Sequence, residues 1–190
     1  MIIGITGKSG SGKSYLSELL ATELNAKHIK IDEVSHYVLT LEKTLSLIRK
    51  EFGDEVFDAN KLNRKKLGEI VFNDKEKLAK LNQFCQSEME IILNKILNNT
   101  KETIILDYAL LPWMSQFALC DVKILIDENF EERFKRIHLR DNISIDYFTI
   151  RDNSIKNYNK DDFNIVLQTT NNISISELAK QIQYIGGNHA

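Results

Sequence analysis

The feature that most constrains this chain is a glycine-rich segment near its start, residues 7–14, with the sequence GKSGSGKS. It matches the pattern G-x-x-x-x-G-K-[ST] in full. An apolar run precedes it and leucines at helical spacing follow it, which predicts a strand over residues 1–6 and a helix that begins near Lys13. Glycines let successive backbone N–H groups turn toward one point, where the start of the helix adds a positive dipole end. The segment, called the phosphate loop below, therefore predicts a site where Lys13 reaches the phosphates of a nucleoside triphosphate and the Ser14 hydroxyl binds Mg²⁺.

Further apolar runs predict four more strands, over residues 28–31, 103–106, 122–126 and 163–167. Helical patterns separate these runs, including one that begins near Asn129 and a last one that begins near Ser174. Strands that alternate with helices indicate parallel pairing with right-handed crossovers, so a three-layer α/β fold is expected. Residues 39–99 interrupt the alternation with helical spacing alone, which predicts a helical insertion, ending in a long helix over 74–99, within a single domain spanning 1–190.

Charge and composition exclude several other classes of protein. The net charge of −2 argues against binding to nucleic acid through bulk basicity, so an anionic ligand must be bound by a local group of cations. No apolar stretch reaches the roughly 20 residues that a membrane span needs, and the start has no basic leader of the signal-peptide kind. Cys85 and Cys120 lack the paired spacing of zinc ligands and are expected to be buried thiols. These features predict a cytoplasmic protein without a nucleic-acid or membrane partner.

Short strings follow the phosphate loop in a fixed order: Asp32 with His36, Phe52-Gly53, Leu62-Asn63-Arg64, Val71-Phe72, Leu81-Asn82, Asp107 with Leu110-Leu111, and Arg136 with Arg140. Together with the loop, this order resembles the dephospho-coenzyme A kinases of the P-loop kinase superfamily over nearly the whole chain. The resemblance implies a P-loop kinase fold in which the helical insertion is the acceptor domain and residues 136–160 form a lid. It also implies that ATP, with Mg²⁺, donates its γ-phosphate to the ribose 3′-hydroxyl of dephospho-coenzyme A.

The resemblance assigns roles to single residues. Asp32 would face the acceptor hydroxyl and accept its proton, and the alternative role for this carboxylate is to cap a helix that starts near Glu33. Arg140 would clamp phosphate oxygens from the lid, and Arg64 would bind a phosphate of the acceptor. The expected catalytic residues are Lys13, Asp32 and Arg140; the nucleotide-binding residues are Gly7, Gly10, Ser11, Gly12, Lys13, Ser14, Tyr15 and Arg136; the substrate-binding residues are Arg64 and Asp107; and the metal ligand is Ser14.

The chain also departs from the pattern of this family. Lys8 stands where the family usually has glycine, Gln86-Ser87 replaces a His-Pro pair, and residues 109–113 and 151–155 differ as well. Two alternatives therefore stay open: a kinase of the same fold that acts on another small molecule or a nucleotide, and an ATP-binding module without turnover. Retention of Lys13, Ser14 and Asp32 together favours an enzyme.

Overall fold

The computed structural model describes residues 1–187 of the chain. In chain order the strands are β1 (Ile2–Thr6), β2 (Lys27–Lys30), β3 (Phe57–Asp58), β4 (Lys61–Leu62), β5 (Ile104–Asp107), β6 (Val122–Ile126) and β7 (Ile165–Leu167). The α-helices are α1 (Lys13–Glu23), α2 (Ile31–Val38), α3 (Glu42–Phe52), α4 (Arg64–Val71), α5 (Lys75–Asn98), α6 (Phe130–Asp141), α7 (Ile145–Asn153) and α8 (Ile175–Gly187). These elements form two compact units, of which the first comprises Met1–Ile31 with Thr100–Ala190 and the second Asp32–Asn99.

The first unit is built on a five-stranded sheet with the order β2-β5-β1-β6-β7, in which every neighbouring pair is parallel. The α/β class and the five strands expected from the sequence are confirmed, each strand to within about two residues. β1 lies in the centre of the sheet, where Ile3 and Ile5 are fully buried and Ile3 pairs with the apolar residues Ile105 on β5 and Val122 on β6. All five strands run in one direction, so their carboxyl ends form one edge, and the phosphate loop leaves that edge at its centre.

Helices α1 and α8 cover one face of this sheet. Their buried side chains form a single apolar cluster with the strands, whose members are Ile3, Ile5, Leu16, Leu20, Ile105, Val122, Ile124, Ile126, Ile165, Leu178, Ala179 and Ile182. The last helix begins where the sequence predicts, because Ser174 Oγ accepts a hydrogen bond from the Glu177 backbone N–H over 3.4 Å. Burial of this cluster fixes α1, and with it the phosphate loop, against the sheet.

The second unit is helical apart from a two-residue hairpin formed by β3 and β4. Its apolar core contains Ile48, Phe52, Val56, Leu67 and Val71. The long helix predicted over residues 74–99 is α5, and Asp74 caps it by accepting hydrogen bonds from the Glu76 and Lys77 backbone N–H groups at 3.0 and 3.1 Å.

Two details of the second unit differ from expectation. The unit begins at Asp32, whereas the insertion was expected to begin near residue 39, because α2 follows β2 without a loop that the sequence could reveal. Asp32 is the second residue of α2, so it lies within the first turn and not at the cap position of a helix starting near Glu33. Within residues 1–187, no helix combines the length and the apolar character that crossing a bilayer requires.

Candidate functional site

The phosphate loop connects the buried strand β1 to helix α1 through two residues with left-handed backbone angles. Gly10 has φ +81° and Gly12 has φ +90°, values that side-chain-bearing residues rarely adopt. An added Cβ at Gly10 would be 2.5 Å from the Arg133 carbonyl oxygen, and one at Gly12 would be 3.0 Å from the Thr169 side chain. The loop therefore needs glycine at both positions for two reasons, its backbone conformation and the close approach of its neighbours.

The N-terminus of α1 is left open by its own sequence. Gly12 occupies the cap position and provides no side-chain hydrogen bond, and the first turn contains no acidic residue. The first backbone N–H groups of a helix have no partner within the helix and form its positive dipole end. With Lys13 and Ser14 in the same first turn, this helix end can receive a phosphate group.

A buried carboxylate lies beside the first turn of α1. Asp107 ends β5, next to β1 in the sheet, and only 1% of it is exposed. Its Oδ2 atom is 3.4 Å from His28 Nε2 on β2, an ion-pair distance without hydrogen-bond alignment, and its Oδ1 has no hydrogen-bond partner among the described residues. Burial raises the pKa of Asp107, but the His28 ring, the Lys13 charge and the Ser14 hydroxyl lower it by more, so the pKa lies below its usual range. Asp107 is thus an ionised carboxylate beside Ser14, and its oxygen atoms can act as metal ligands.

Side chains from α6 and from the segment after β7 bind the carbonyl oxygens of the phosphate loop. Arg136 on α6 donates a hydrogen bond to the Gly10 carbonyl over 3.1 Å and another to Thr169 Oγ1 over 2.8 Å. Thr169, just after β7, lies 2.7 Å from the Ser11 carbonyl, to which its hydroxyl can donate. Because the carbonyl groups are bound from this side, the N–H groups of the loop stay available for an anion.

Glu128 joins these contacts from the end of β6. One of its carboxylate oxygens accepts a hydrogen bond from the Thr170 backbone N–H over 2.9 Å, and the same oxygen is 3.5 Å from Arg136. Burial raises the pKa of Glu128, but hydrogen bonds from Thr169, Thr170 and Asn129 lower it by more, so the carboxylate is ionised. Glu128 therefore places a negative charge beside the Arg136 guanidinium, which the Gly10 carbonyl and Thr169 also contact.

The start of the loop is connected to helix α7. Lys8 Nζ donates to Asp152 Oδ2 over 3.2 Å and to the Asp152 carbonyl over 3.3 Å. Arg133 on α6 also binds Asp152, with distances of 2.5 and 3.2 Å from its two terminal nitrogens to the two carboxylate oxygens. A cavity of about 360 Å³ borders this cluster and is lined by Lys8, Leu125, Ile126, Asp127, Glu128, Arg133, Asn157, Tyr158 and Lys160.

Comparison with known proteins gives this site its family. A family model described as dephospho-CoA kinase matches residues 1–169. The dephospho-CoA kinase of Fusobacterium nucleatum is 34% identical over 146 residues, which cover 76% of this chain and 75% of that protein. That of Leptospira interrogans is likewise 34% identical, over 75% of this chain and 70% of its own length. The chain belongs to the dephospho-CoA kinase family.

Solved structures agree with this assignment. The dephospho-CoA kinase from Campylobacter jejuni superposes with a TM-score of 0.63 at 26% identity, covering 100% of this chain and 98% of its own. The structure of TT1252 from Thermus thermophilus superposes with a TM-score of 0.78 at 23% identity, over 100% of this chain and 98% of its own, which supports the fold. The P-loop kinase fold expected from the sequence is thereby confirmed, and the chain is a phosphotransferase of this family.

The first unit of this dephospho-CoA kinase brings together most of the nucleotide-binding residues expected from the sequence, namely the phosphate loop and Arg136. Asp107, expected to bind the substrate, lies beside Ser14 of the same loop. Two other residues of the same unit that were expected in the site, Tyr15 and Arg140, are exposed and make none of these contacts with the phosphate loop. Tyr15 follows Ser14 on α1 and its side chain is largely exposed, at 68%. Arg140 is exposed near the end of α6 and binds the Asp141 carboxylate through two hydrogen bonds of 2.7 Å each.

The remaining expected residues belong to the second unit of this family member. Asp32 lies in the first turn of α2, and Arg64 is the first residue of α4, after Asn63, whose side chain caps that helix. Their roles toward the acceptor remain predictions.

Sequence reasoning missed four residues that organise this dephospho-CoA kinase site: Glu128, Arg133, Asp152 and Thr169. Lys8 was noticed only as a departure from the family's glycine. One local signal could have indicated Glu128, since it directly follows Asp127 at the end of a buried strand, where parallel sheets place functional groups. No comparable signal exists for the contacts of Arg133 and Asp152 with the loop.

Proposed function

We propose that this chain transfers the γ-phosphate of ATP to the ribose 3′-hydroxyl of dephospho-coenzyme A, giving coenzyme A and ADP. The observation that carries the proposal is the complete phosphate loop at the open end of α1, with Ser14 against the ionised carboxylate of Asp107, in a chain that matches the dephospho-CoA kinase family over residues 1–169. A cytoplasmic location, expected from the sequence, belongs to the same proposal, and the two free, buried cysteines are consistent with it.

The phosphate loop and Arg136 form the ATP side of the site. Backbone N–H groups of the loop bind phosphate oxygens, and Lys13 neutralises charge on the phosphoryl group as it transfers. The Arg136 side chain is 34% exposed. Its guanidinium can therefore bind a phosphate and still donate its hydrogen bond to the Gly10 carbonyl. Tyr15, exposed at the start of α1, is available to the nucleotide.

The residues beside the loop fit Mg²⁺. This ion prefers oxygen ligands and binds through one or two protein groups, with water and substrate phosphates completing its shell. The Ser14 hydroxyl and the Asp107 carboxylate are such groups, and the buried Asp107 Oδ1 has no hydrogen-bond partner within residues 1–187. Asp107 would hold the ion directly or through a water molecule. Mg²⁺, when bound, neutralises the β- and γ-phosphate oxygens.

The proposed reaction is a single displacement. The acceptor 3′-hydroxyl oxygen forms a bond to the γ-phosphorus, the bond from that phosphorus to the β–γ bridging oxygen breaks, and ADP leaves with that electron pair. Asp32 accepts the hydroxyl proton, Arg64 binds a phosphate of the acceptor, and Arg140 clamps the transferring group after release from Asp141. Among these, Asp32 is the residue on which chemistry at the acceptor depends.

A coupled assay of ADP release tests the proposal. It compares dephospho-coenzyme A with adenosine, AMP and pantetheine compounds, using the wild type, a Lys13→Met variant and a Lys80→Met control. Lys80 is paired with Glu51 at 2.5 Å in the second unit and takes no part in the proposed site. Dephospho-coenzyme A should give the highest kcat/KM, and only Lys13→Met should lose turnover.

Each of the other outcomes has a definite meaning. A tenfold preference for a nucleoside or nucleotide, about 1.4 kcal/mol at the transition state, would assign the chain another acceptor. Binding of Mg·ATP without turnover of any acceptor would indicate a module that has lost catalysis.

A further inference from the structure

One carboxylate on helix α7 binds cations from two distant parts of the first unit. Asp152 accepts hydrogen bonds from Arg133, 19 residues earlier on α6, and from Lys8, 144 residues earlier in the phosphate loop. The Arg133 contact uses both terminal nitrogens and both carboxylate oxygens, the geometry in which guanidinium and carboxylate fit best. The Lys8 contact uses the carboxylate and the backbone carbonyl of the same residue.

In this cluster of Lys8, Arg133 and Asp152, the arginine and the aspartate are buried and Lys8 is partly buried. The exposed fractions of the three side chains are 17%, 7% and 8%, so water cannot easily replace a lost partner of Arg133 or Asp152. Burial raises the pKa of Asp152, but Arg133 and Lys8 together lower it by more, and the carboxylate is ionised. Removal of the carboxylate charge would leave two cations close together without the anion that both bind, so both would have to rearrange.

Arg133 extends the connection to the backbone of the loop. One of its terminal nitrogens donates to the Ser9 carbonyl over 3.4 Å, and Nε donates to the Glu128 carbonyl over 3.1 Å. Lys8 and Ser9 are the first residues of the loop after Gly7. The start of the loop is therefore attached to α6 and α7 by side chains, in the same way that its later carbonyls are attached by Arg136 and Thr169.

We propose that Asp152 is a positioning residue for the triphosphate site, because through Lys8 and Arg133 it fixes the start of the phosphate loop in the conformation that presents its N–H groups. The proposal rests on the proposed function only in that the loop's ligand is ATP. Asp152 contacts no reacting atom. Its loss affects binding of ATP, which uses the loop, far more than binding of the acceptor.

An alternative role for Asp152 predicts the opposite change in ATP affinity, so the direction of that change distinguishes the two roles. The neighbouring cavity gives the Lys8 ammonium room to move away from Asp152. If Asp152 merely withheld this cation from the triphosphate, its removal would strengthen ATP binding. If Asp152 positions the loop, its removal weakens ATP binding.

The test measures Mg·ATP and Mg·ADP dissociation constants by calorimetry, together with steady-state kinetics and melting temperature. The variants are Asp152→Asn, Lys8→Met, the double variant, Lys8→Arg and the Lys80→Met control. Asp152→Asn and Lys8→Met should each raise the Kd for Mg·ATP about fivefold to twentyfold, with the acceptor KM changed less than twofold. The double variant should bind no more weakly than the worse single variant, because both remove the same connection. Lys8→Arg keeps the cation and should restore most of the affinity.

Lys8→Met keeps the Arg133–Asp152 pair, so it tests the proposal even if Asp152→Asn fails to fold. Unchanged affinity in folded Lys8→Met, tighter binding in either single variant, or additive losses in the double variant would each overturn the proposal. An equal rise in the Kd for Mg·ATP in Lys80→Met would also overturn the proposal, because losing an ion pair outside the cluster would then have the same effect as losing the Lys8–Asp152 contact. A wild type that fails to bind Mg·ATP would refute the proposed function itself, whereas normal wild-type binding with unaffected variants refutes only the role of Asp152.

Discussion

Replacement of Gly10 by alanine is the most direct test of how the phosphate loop is held. Its φ of +81° lies in the left-handed region, where a Cβ atom costs roughly 1–2 kcal/mol. That Cβ would also be 2.5 Å from the Arg133 carbonyl oxygen and 3.0 Å from the Arg133 carbonyl carbon and Cα. These are backbone atoms of α6, so no side-chain rotation relieves the contact, and overpacking of this kind adds about 1–3 kcal/mol.

The expected total for Gly10→Ala is therefore about 2–5 kcal/mol, divided between the free energy of unfolding and ATP binding. If the folded protein keeps the loop in place, the free energy of unfolding falls by this amount. A chain of this size then loses roughly 2–4 °C in melting temperature for each kcal/mol. If the loop moves away instead, the melting temperature is kept and the Kd for Mg·ATP rises by about tenfold for each 1.4 kcal/mol. Differential scanning calorimetry and ATP titration together measure both parts.

Gly187→Ala is the matched control for this prediction. Gly187 is the last residue of α8 and has no positive φ, and no atom of residues 1–187 outside its chain neighbours and helix backbone lies within 4 Å of an added Cβ. The same chemical change there should leave stability unchanged or slightly higher, because alanine favours a helix. If Gly10→Ala matched Gly187→Ala in both melting temperature and ATP affinity, the reasoning about the loop would be wrong.

Four further predictions concern single side chains. Lys13→Ala should lower kcat by roughly 10²-fold, about 3 kcal/mol, with the melting temperature kept, and wild-type turnover would contradict its role. Asp32→Asn should lower kcat strongly and leave the Kd for Mg·ATP nearly unchanged, whereas a loss of ATP affinity with kcat intact would indicate a structural role in the first turn of α2. Arg140→Lys should resemble Arg140→Ala in kcat, because lysine lacks the planar fork, and full activity would show that a diffuse positive charge is enough. The lowered pKa of Asp152 means that its ionised form stabilises the fold above the ordinary aspartate pKa of 3.8, a contribution that is lost as the pH falls through the lower folded value. The melting temperatures of wild type and Asp152→Asn should therefore differ most at pH 7 and converge toward pH 3, and a constant difference would contradict this.

The parts of the molecule that the sequence predicts are those encoded by contiguous residues. Residues 7–14 carry the glycines, the lysine and the serine of the loop in one string, and the flanking strand and helix follow from periodicity within about 20 residues. Strands β5 and β6 are evident because each is a mainly apolar run buried in a parallel sheet, with Lys123 the one charged residue inside β6 and Asp107 at the end of β5. The cap of α6 is local too, since Asn129 accepts a hydrogen bond from the Glu132 N–H three residues later.

The parts that the sequence does not predict depend on contacts between residues that are far apart in the chain. Lys8 and Asp152 are 144 positions apart, and Thr169 binds the Ser11 carbonyl across 158 positions. Composition and periodicity describe which side chains are charged or polar, and they do not say which pairs meet in the folded chain. The start of the second unit was missed for a different reason, because β2 passes directly into α2 at Ile31 and no turn residue marks the change.

The strand order has a consequence for how the site forms during protein synthesis. β1 is made first, yet both strands that pair with it, β5 and β6, are translated only after residue 103. The groups that bind the loop carbonyls come later still, at Arg136 and Thr169. A chain emerging from the ribosome therefore contains the loop residues long before the contacts that fix the loop's conformation can form. We expect nucleotide binding only when nearly the whole first unit has been made. Such reliance on contacts between distant parts of the chain slows folding, and it delays ATP binding until the residues through Thr169 have been made.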